Sequence, residues 1–449
     1  MARGATHVLG VDIGSEAIKI TECRLGRGAV RLVGRPVVFA APPGLVQQGF
    51  VEDPTTVGAA IKEHLRGFTT RKAVASVGGQ SHLVVRLLEM PSMAESELRK
   101  EIYYELERQT PFPPDQVYYD YQVVRRADAD PNASHMEVLL AAAQEEMIEN
   151  HVLTLQAAGL APVAIDIEPL ALSRALVNAR GDELMGQTVA IVNVGSTTCD
   201  IVIIRHGLLS FFRPIPTAGE AISRAIGQAF VIEAEEAERL KREMVALDVS
   251  AGFGQPGAVP EAPDTGSLDL GATTPSGGTS VGAYDDSTDA SVFELASTDS
   301  GTGAEQLGPT GDRATHLDLD EAAPPPAPAT DLSVLATPRP SGATMAQQQV
   351  YDTVVPVITE LTTELRRSLD FYRRQHRNEN IDRIILCGGS AAIRGLAQFV
   401  AADVGIYAET ADPFARLERD ASASPEDYLH DIGPSCAVAV GLALRDSLD

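Results

Sequence analysis

The chain has 449 residues and carries 36 Lys and Arg against 62 Asp and Glu, which gives a formal net charge of −26. Such acidity argues against DNA or an anionic lipid surface as the primary partner, because both attract basic faces. The length suggests about three structural units. The hydrophobic fraction of 44% is enough for a sizeable core.

Half of the negative charge lies in one segment. Residues 248–344 contain 15 acidic and 2 basic side chains, a net charge of −13, and are rich in Gly, Pro, Ser and Thr. Because they hold too little apolar material to offset the loss of chain entropy, we predict a disordered insertion there. Residues 1–247 and 345–449 alternate short β-branched runs with amphipathic helical patterns, which is typical of an α/β fold.

The four cysteines, at positions 23, 199, 387 and 436, include no CxxC pair. This spacing argues against a zinc site or a disulfide scaffold, so we expect four reduced, mostly buried thiols. We find neither a signal-peptide pattern nor an apolar run of about 18 residues. A soluble, cytoplasmic protein is therefore expected.

Two strand hairpins are predicted, one at the start of each half of the folded part. The first joins strands at 7–11 and 17–25, and the second joins strands at 188–192 and 200–204. Because the same hairpin occurs twice, we predict an architecture of two similar halves.

A small subdomain is predicted between the two hairpins. Residues 83–165 show a βαββαβ pattern, and a strand at 162–167 is predicted to close the unit. Ser92 and Glu95 indicate a capping box at the start of its first helix.

The C-terminal part returns to the α/β pattern. Apolar residues recur every three or four positions over 349–374, which predicts a long amphipathic helix. A buried strand at 381–386 leads into a Gly-Gly turn, and residues 435–444 predict an apolar helix of small residues.

Three glycine-containing turns follow buried strands. Residues 12–15 place a carboxylate and bare backbone N–H groups at a strand end, where they can cradle phosphates and hold Mg²⁺ through water. Residues 195–198 would face the same phosphates from the opposite side. Residues 388–390 let an adenine ring or an α-phosphate approach the backbone. Each turn alone is better explained as a structural tight turn, whereas the three together favour a nucleotide site.

In this order the three turns resemble the actin-like ATPase family, which includes actin, Hsp70 chaperones, sugar kinases and FtsA. The resemblance implies ATP and Mg²⁺ as cofactors, with Asp12 and Glu168 in catalytic roles: Asp12 would hold Mg²⁺ and Glu168 would orient the attacking water. The implied cofactor-binding residues are Asp12, Gly14, Ser15 and Lys19 in the first hairpin; Asn193, Gly195, Ser196, Thr197 and Thr198 in the second; Gly219 and Glu220; Glu238, Lys241 and Arg242; and Gly388, Gly389 and Ser390. For residues 238–242 the alternative is a solvated, charged helix face.

The position of the small subdomain indicates which members of the actin-like family the chain resembles most. A unit inserted at this point is similar to FtsA and to the PilM family of cytoplasmic type IV pilus assembly proteins. Residues 109–113, 119–123 and 366–372 are similar to PilM in particular. The chain also lacks the C-terminal amphipathic helix with which FtsA-type proteins reach the membrane, which favours PilM.

The resemblance to PilM implies a partner, the N-terminal cytoplasmic peptide of PilN. The peptide would dock in a groove between the first subdomain and the small inserted one. It would hold the protein at the inner face of the cytoplasmic membrane, together with other inner-membrane pilus assembly proteins. The protein would then link the inner-membrane pilus platform to the cytoplasmic motor components.

The expected fold is therefore the actin-like ATPase (RNase H-like) α/β fold, with two similar halves, a small inserted subdomain and a long disordered acidic insertion. The predicted divisions are 1–82 with 166–186 as the first actin-like subdomain, 83–165 as the inserted one, 187–218 with 345–449 as the second actin-like subdomain, 219–247 as its nucleotide-contacting part, and 248–344 as the insertion.

One departure from the family pattern affects the chemistry. The second turn of actin-like ATPases usually begins with Asp, whereas this chain has Asn193. An amide keeps hydrogen bonding but lacks a charge that helps to position Mg²⁺, so we expect ATP binding with slow or no hydrolysis. An FtsA-like filament-forming protein and a sugar-kinase-type phosphotransferase remain alternatives, and self-association stays open.

Overall fold

A computed structural model of the chain describes residues 7–26, 29–79, 81–124, 134–245, 247, 345–376, 379–419 and 424–445. The predicted disordered insertion at 248–344 lies outside the described residues and stays a prediction.

Within those ranges the strands are β1 (His7–Ile13), β2 (Ala17–Leu25), β3 (Val30–Leu32), β4 (Val37–Ala40), β5 (Val46–Gln47), β6 (Phe50–Val51), β7 (Lys72–Val77), β8 (Leu83–Pro91), β9 (Val117–Val124), β10 (His135–Gln144), β11 (Ala161–Ile167), β12 (Thr188–Val194), β13 (Cys199–Arg205), β14 (Leu208–Ile215), β15 (Arg383–Cys387) and β16 (Ala408–Thr410). The helices are α1 (Pro54–Glu63), α2 (Glu95–Gln109), α3 (Glu145–Ala157), α4 (Glu168–Leu176), α5 (Gly219–Phe230), α6 (Ala234–Met244), α7 (Met345–Gln375), α8 (Leu396–Val404), α9 (Glu426–Ile432) and α10 (Ala437–Ala443).

Two larger sheets share one layout. In the first, the strand order is β11-β7-β1-β2-β3, with β4 also paired to β2; in the second, it is β14-β13-β12-β15-β16. The central strands β1 and β12 each pair antiparallel with the next strand and parallel with a distant one. Both are almost entirely buried, as expected for strands covered on two faces. The prediction of two similar halves, each opened by a hairpin, is confirmed.

A third, antiparallel sheet has the order β8-β10-β9 and carries α2 on one face. Leu98, Ile102 and Leu106 of α2 pack against Val138 and Leu140 of β10. The prediction that the strand at 162–167 closes this small unit is wrong. That strand, β11, pairs parallel with β7 in the first large sheet, because α3 returns the chain to that sheet as a parallel crossover does.

The capping box predicted at Ser92 and Glu95 is also displaced. Ser92 extends the β8–β10 pairing, since its N–H donates to the carbonyl of Ser134 at 2.9 Å. The N-terminal cap of α2 is Ala94, whose N–H donates to the carboxylate of Glu97 at 3.4 Å. The helix therefore starts two residues later than the Ser92 signal indicates.

The C-terminal helix α10 lies in the core between β1 and α4. A Cβ on Gly441 would lie 1.8 Å from the carbonyl oxygen of Ala171, and one on Gly10 would lie 1.9 Å from that of Ala439. Such close backbone approach explains why this helix consists of small residues. All four cysteines are free and buried, as predicted. In the part of the chain that the structure describes, we find no helix with the length and apolarity needed to cross a membrane.

Candidate functional site

A cavity of about 380 Å³ lies between the two hairpins. Most of the residues predicted from sequence line it: Asp12, Gly14, Ser15, Lys19, Glu168, Asn193, Gly195, Ser196, Thr197, Thr198, Glu238, Lys241, Arg242, Gly388, Gly389 and Ser390. Gly219 and Glu220 are not among the lining residues. The fold thus brings together residues that are up to several hundred positions apart in the sequence.

The first hairpin supplies a charge pair. Asp12 at the end of β1 stands opposite Lys19 on β2 in the strand register, and the Lys19 ammonium lies 3.1 Å from the Asp12 carboxylate. Burial disfavours the charged ammonium, but attraction and hydrogen bonding to Asp12 outweigh it and raise the pKa of Lys19. Lys19 is therefore a fixed cation at the floor of the cavity.

The second hairpin repeats this register with different chemistry. Asn193 at the end of β12 stands opposite Asp200 on β13, the same seven-residue separation as between Asp12 and Lys19. Asp200 is buried, and its Oδ1 has no hydrogen-bond partner among the described residues. Burial raises the pKa of Asp200 to about 7. A buried carboxylate oxygen without a partner is an unusual feature that points to a function.

Asp200 was not predicted as a site residue, and it is not among the residues that line the cavity, although its charge acts on Glu168, which does line it. A signal for it exists, because it follows Asn193 by the interval at which Lys19 follows Asp12. Since adjacent strands of a hairpin place such positions face to face, the repeat of the spacing marks Asp200 as the counterpart of Lys19.

Glu168 begins α4 and reaches the cavity from the first half. Its carboxylate accepts a hydrogen bond from the Asn193 amide at 3.3 Å. A Cβ on Gly78 would lie 2.1 Å from the Glu168 carboxylate, so glycine at position 78 leaves room for this position of the side chain. Burial, followed by the charges of Asp200 and Asp12, raises the pKa of Glu168 well above its usual range, although Lys19 acts in the opposite direction.

The tips of the two hairpins meet directly. The hydroxyl groups of Ser15 and Thr197 lie 3.0 Å apart, at hydrogen-bond distance. Each tip is a tight turn in which a glycine N–H donates to the carbonyl three residues later: Gly14 to Ala17 at 3.2 Å, and Gly195 to Thr198 at 2.9 Å. Matching turns therefore present backbone and hydroxyl groups to the cavity from both sides.

The third turn, at residues 388–390, packs closely against the second hairpin. Gly388 has a φ of 89°, and a Cβ there would lie 2.5 Å from the carbonyl oxygen of Val194. Its N–H donates to the carbonyl of Pro434 at 2.7 Å. A glycine is required at this position by both the backbone angle and the close contact.

Helix α6 lines the cavity with a charged cluster. The buried ammonium of Lys241 lies 2.6 Å from the Glu238 carboxylate and donates to the carbonyl of Gly219 at 3.3 Å. Arg242 lies 3.0 Å from the same carboxylate, and the Ser223 hydroxyl donates to it at 2.6 Å. The predicted alternative, a fully solvated helix face, does not describe Lys241, which is 4% exposed.

Gly219 and Glu220 act behind the cavity wall. The N–H of Gly219 donates to the carbonyl of Gly195 at 3.0 Å, and the N–H of Glu220 donates to that of Ser196 at 2.8 Å. The Glu220 side chain is paired with Arg224 and is 52% exposed. These residues anchor α5 on the second hairpin, and the Glu220 carboxylate points away from the lining.

One part of the cavity wall was missed by the sequence analysis. Residues 431–438 contribute Asp431, Ile432, Pro434, Ser435, Ala437 and Val438 to the lining. This stretch carries no glycine turn or charge pattern of its own. Its place at the cavity follows from the packing of α10 against β1, which the sequence does not reveal.

The residues present fit a nucleotide with Mg²⁺. Lys19, the hydroxyl groups and the turn N–H groups suit phosphate oxygens, and glycines at 14, 195, 388 and 389 leave room for close approach. In the described ranges no cluster of three or more His, Cys, Asp or Glu residues could hold a metal alone. This is consistent with Mg²⁺, which typically takes one or two carboxylates together with phosphates and water.

Two halves of matching topology, joined at glycine turns around one cleft, define an actin-like ATPase fold. The family model for the type IV pilus assembly protein PilM matches residues 10–247 and 343–447. The chain therefore belongs to the PilM family of type IV pilus assembly proteins. The unmatched interval coincides closely with the acidic segment, which identifies that segment as an insertion.

Individual relatives agree with this assignment at the level of the fold. A solved PilM-PilN type IV pilus biogenesis complex superposes with a TM-score of 0.69 and 23% identity, covering 98% of each chain. The cell division protein FtsA of Bacillus subtilis (strain 168) is 25% identical over 258 residues, which is 52% of this chain and 57% of FtsA. The chain thus spans little more than half the length of that curated relative.

Proposed function

We propose that this protein binds ATP with Mg²⁺ in the cleft between its two hairpins and uses the bound nucleotide in type IV pilus assembly. The observation that supports this most is the pair of facing turns that line the cavity, with Lys19 and Ser15 on one side and the Ser196, Thr197 and Thr198 hydroxyl groups on the other. Fixed donors facing one another across a cleft are suited to holding a chain of phosphates.

The roles follow from the chemistry of each group. The hydroxyl groups of Ser15, Ser196, Thr197 and Thr198, with the turn N–H groups other than those of Gly14 and Gly195, would hold phosphate oxygens, and Lys19 would neutralise part of their charge. Asp12 would position Mg²⁺, which would neutralise charge on the phosphates when bound. Gly388 and Lys241 would lie along the nucleoside. Glu168 would orient a water molecule through its carboxylate.

Hydrolysis would be slow. Asn193 contributes no charge at the end of β12, and its amide is already hydrogen-bonded to Glu168. We therefore favour an assembly protein that binds ATP and keeps it bound for a long time.

The partner proposed is the N-terminal cytoplasmic peptide of PilN, docked in a groove between the first subdomain and the small inserted one. PilM family membership and the similarity to a PilM-PilN complex support this partner. Binding of the peptide would hold the protein at the inner face of the cytoplasmic membrane, where it would link the pilus platform to motor components.

The nucleotide part is tested by thermal unfolding with Mg²⁺ and ATP. A ligand at 100 times its Kd stabilises a folded protein by about 2.7 kcal/mol. We expect such stabilisation in the wild type and its loss in Asp12→Ala and in the isosteric Asp12→Asn. Chelation of Mg²⁺ should weaken it.

Glu220→Ala is the matched control, because Glu220 belongs to the predicted set but its carboxylate lies outside the cavity. Equal melting temperatures of the wild type with and without saturating Mg²⁺ and ATP would refute nucleotide binding.

The partner part is tested by fluorescence anisotropy with a labelled synthetic PilN N-terminal peptide. Saturable binding is expected, whereas a scrambled peptide should not bind. Absence of binding would shift support to the second candidate, an FtsA-like filament-forming protein, which the sequence similarity to FtsA favours. That alternative predicts that Mg²⁺ and ATP induce polymers recoverable by sedimentation.

A further inference from the structure

In the described ranges, the chain crosses between the two halves at two places. The first crossing, residues 177–187, runs from the end of α4 to the start of β12, and Gly181 interrupts its helical turn with a φ of 54°. The second crossing, residues 411–417, leaves β16 and places Phe414 and Leu417 in the core that contains β1 and α4. A change in the angle between the halves has to be absorbed in these two segments.

An ion-pair cluster joins both crossings to the second large sheet. Arg180 of the first crossing bonds to Glu183 of the same crossing and, at 2.7 Å, to Glu409 of β16. Arg416 of the second crossing lies 2.8 Å from Glu183, and Arg383 of β15 lies 3.1 Å from Glu409. Arg180 is thus shared between a carboxylate of the crossing and a carboxylate of the second half.

The cluster is partly shielded from water. The side chains of Arg180 and Glu409 are 24% and 23% exposed, and that of Arg383 is 3% exposed. Burial disfavours the charge of Arg180, but its hydrogen bonds to Glu183 and Glu409 outweigh burial and raise its pKa. Charge-assisted bonds in such a setting are stronger than salt bridges on an open surface.

The cluster and the cleft lie at opposite ends of β15. Arg383 begins this strand, and Cys387 ends it next to Gly388 of the cavity wall. Four steps along a strand span about 13 Å. At the cleft end, the two halves contact each other through the hydroxyl groups of Ser15 and Thr197. A bond between the halves at the far end of the strand therefore restrains how they rotate about the crossings.

We propose that Arg180 is a positioning residue that sets the angle between the two halves, and thereby how readily a nucleotide leaves the cleft. When the halves rotate apart at the cleft, Arg180 keeps Glu183, three positions away on the same turn, and releases Glu409. Glu409 then retains Arg383, so both arrangements leave every charge of the cluster paired. A two-state element of this kind is poised to shift with small changes in free energy.

The effect on nucleotide release rests on the proposed function, whereas the effect on the angle does not. Pulsed electron paramagnetic resonance of the full chain without nucleotide measures the angle. Nitroxide labels are attached at Gln47→Cys and Arg239→Cys, exposed positions near the lining residues Gly49 and Glu238, one in each half. All four native cysteines are buried, so the labels react with the introduced thiols.

In the Arg180→Gln variant we expect the distance distribution to shift to longer distance and to broaden. The variant should fold, because Glu183 keeps Arg416 and Glu409 keeps Arg383. Arg416→Gln is the matched control, since among the described residues Arg416 bonds to Glu183 and to no residue of the second half; its distribution should equal that of the wild type. Arg180→Lys retains the charge without the forked geometry and should reverse part of the shift.

Stopped-flow release of a fluorescent ATP analogue with Mg²⁺ measures the consequence for the cleft. We expect release from Arg180→Gln to be about threefold to tenfold faster than from the wild type, and release from Arg416→Gln to change less than twofold. A longer distance without faster release would overturn the link between Arg180 and nucleotide release.

The two measurements separate this inference from the function to which it is linked. An unchanged distance distribution in Arg180→Gln, or equal shifts in Arg180→Gln and Arg416→Gln, would overturn the role of Arg180 and leave nucleotide binding intact. Failure of the wild type to bind the fluorescent nucleotide would refute the proposed function and the effect on release. The distances, measured without nucleotide, would still decide whether Arg180 sets the angle.

Discussion

At the residue scale, the feature that distinguishes the cleft is a buried carboxylate without a partner. Asp200 has a pKa of about 7 because burial disfavours its charge, against about 3.9 in an unfolded chain. Folding therefore favours the protonated form. This contribution to stability is fully present below about pH 3.9 and is lost as the pH rises through about 7.

Asp200→Asn should remove this pH dependence. Relative to the wild type, we expect the variant to gain stability on going from pH 5 to pH 8, by on the order of 2 kcal/mol, because it has no charge to bury. The measurement is urea unfolding at both pH values without nucleotide. The packing cost of the amide is the same at both pH values. It therefore cancels when the change in stability from pH 5 to pH 8 is compared between the variant and the wild type. An unchanged difference would mean that Asp200 is not a neutral group in the fold at pH 5.

Asp200 also acts electrostatically on Glu168, which lines the cavity, so the buried charge that destabilises the fold is linked to the site. Natural sites commonly retain such a destabilising group for function. The sequence analysis could place Asp12, Lys19 and the glycine turns because each has a local motif. It missed Asp200, which only strand register places opposite Asn193, and residues 431–438, which only helix packing brings to the cleft.

At the element scale, local patterns predicted which elements exist, but could not tell which elements pair. Both hairpins were predicted, since their partners are neighbours in the sequence. Strand β11 was assigned to the small sheet, whereas it pairs with β7. A short apolar strand has the same pattern in either sheet, so the choice depends on how α3 crosses the fold.

One helix end carries measurable strain. Val231 ends α5 in the left-handed conformation, with φ 54° and ψ 51°, and its side chain is 90% exposed. Left-handed backbone costs roughly 1–2 kcal/mol for an L-residue other than glycine, and β-branching makes it less favourable. Helices usually end with glycine or asparagine at such a position.

Val231→Gly should therefore stabilise the protein by about 0.5–1 kcal/mol, after the larger chain entropy of glycine in the unfolded state is allowed for. The midpoint of urea unfolding measures the change. Val231→Thr keeps β-branching and serves as the control, with no gain expected. A lower midpoint for the glycine variant would show that Val231 makes contacts that outweigh its backbone strain.

At the scale of the whole molecule, the acidic segment lies between the two parts of the chain that the family model matches. The family match ends at residue 247 and resumes at residue 343. Both flanks end at elements of the second half: α6 lines the cavity, and α7 contributes Val350, Leu361 and Leu369 to the core. The predicted domain boundaries remain predictions, and the placement of β11 suggests ending the inserted unit at β10.

Replacing residues 250–343 with a short Gly/Ser linker should leave Mg²⁺–ATP binding within about twofold of the wild type, because flexible loops of different length differ little in closure cost. Thermal shift and anisotropy measurements with both ligands check this. A variant that loses cooperative unfolding would contradict the prediction that the segment is disordered and independent of the fold.

The repeated hairpin register has a consequence for the rate at which nucleotide arrives. The four facing positions hold one ammonium, one amide and two carboxylates, and with a pKa near 7 Asp200 is about half charged at neutral pH. Lys19 and Asp12 cancel, so the summed charge is about −0.5, the half charge of Asp200, within a chain of net charge −26. An anionic nucleotide is then repelled at long range and attracted only within the cleft. Adding salt screens the repulsion beyond a Debye length of about 8 Å at physiological ionic strength, so stopped-flow association should become faster, not slower, as ionic strength rises.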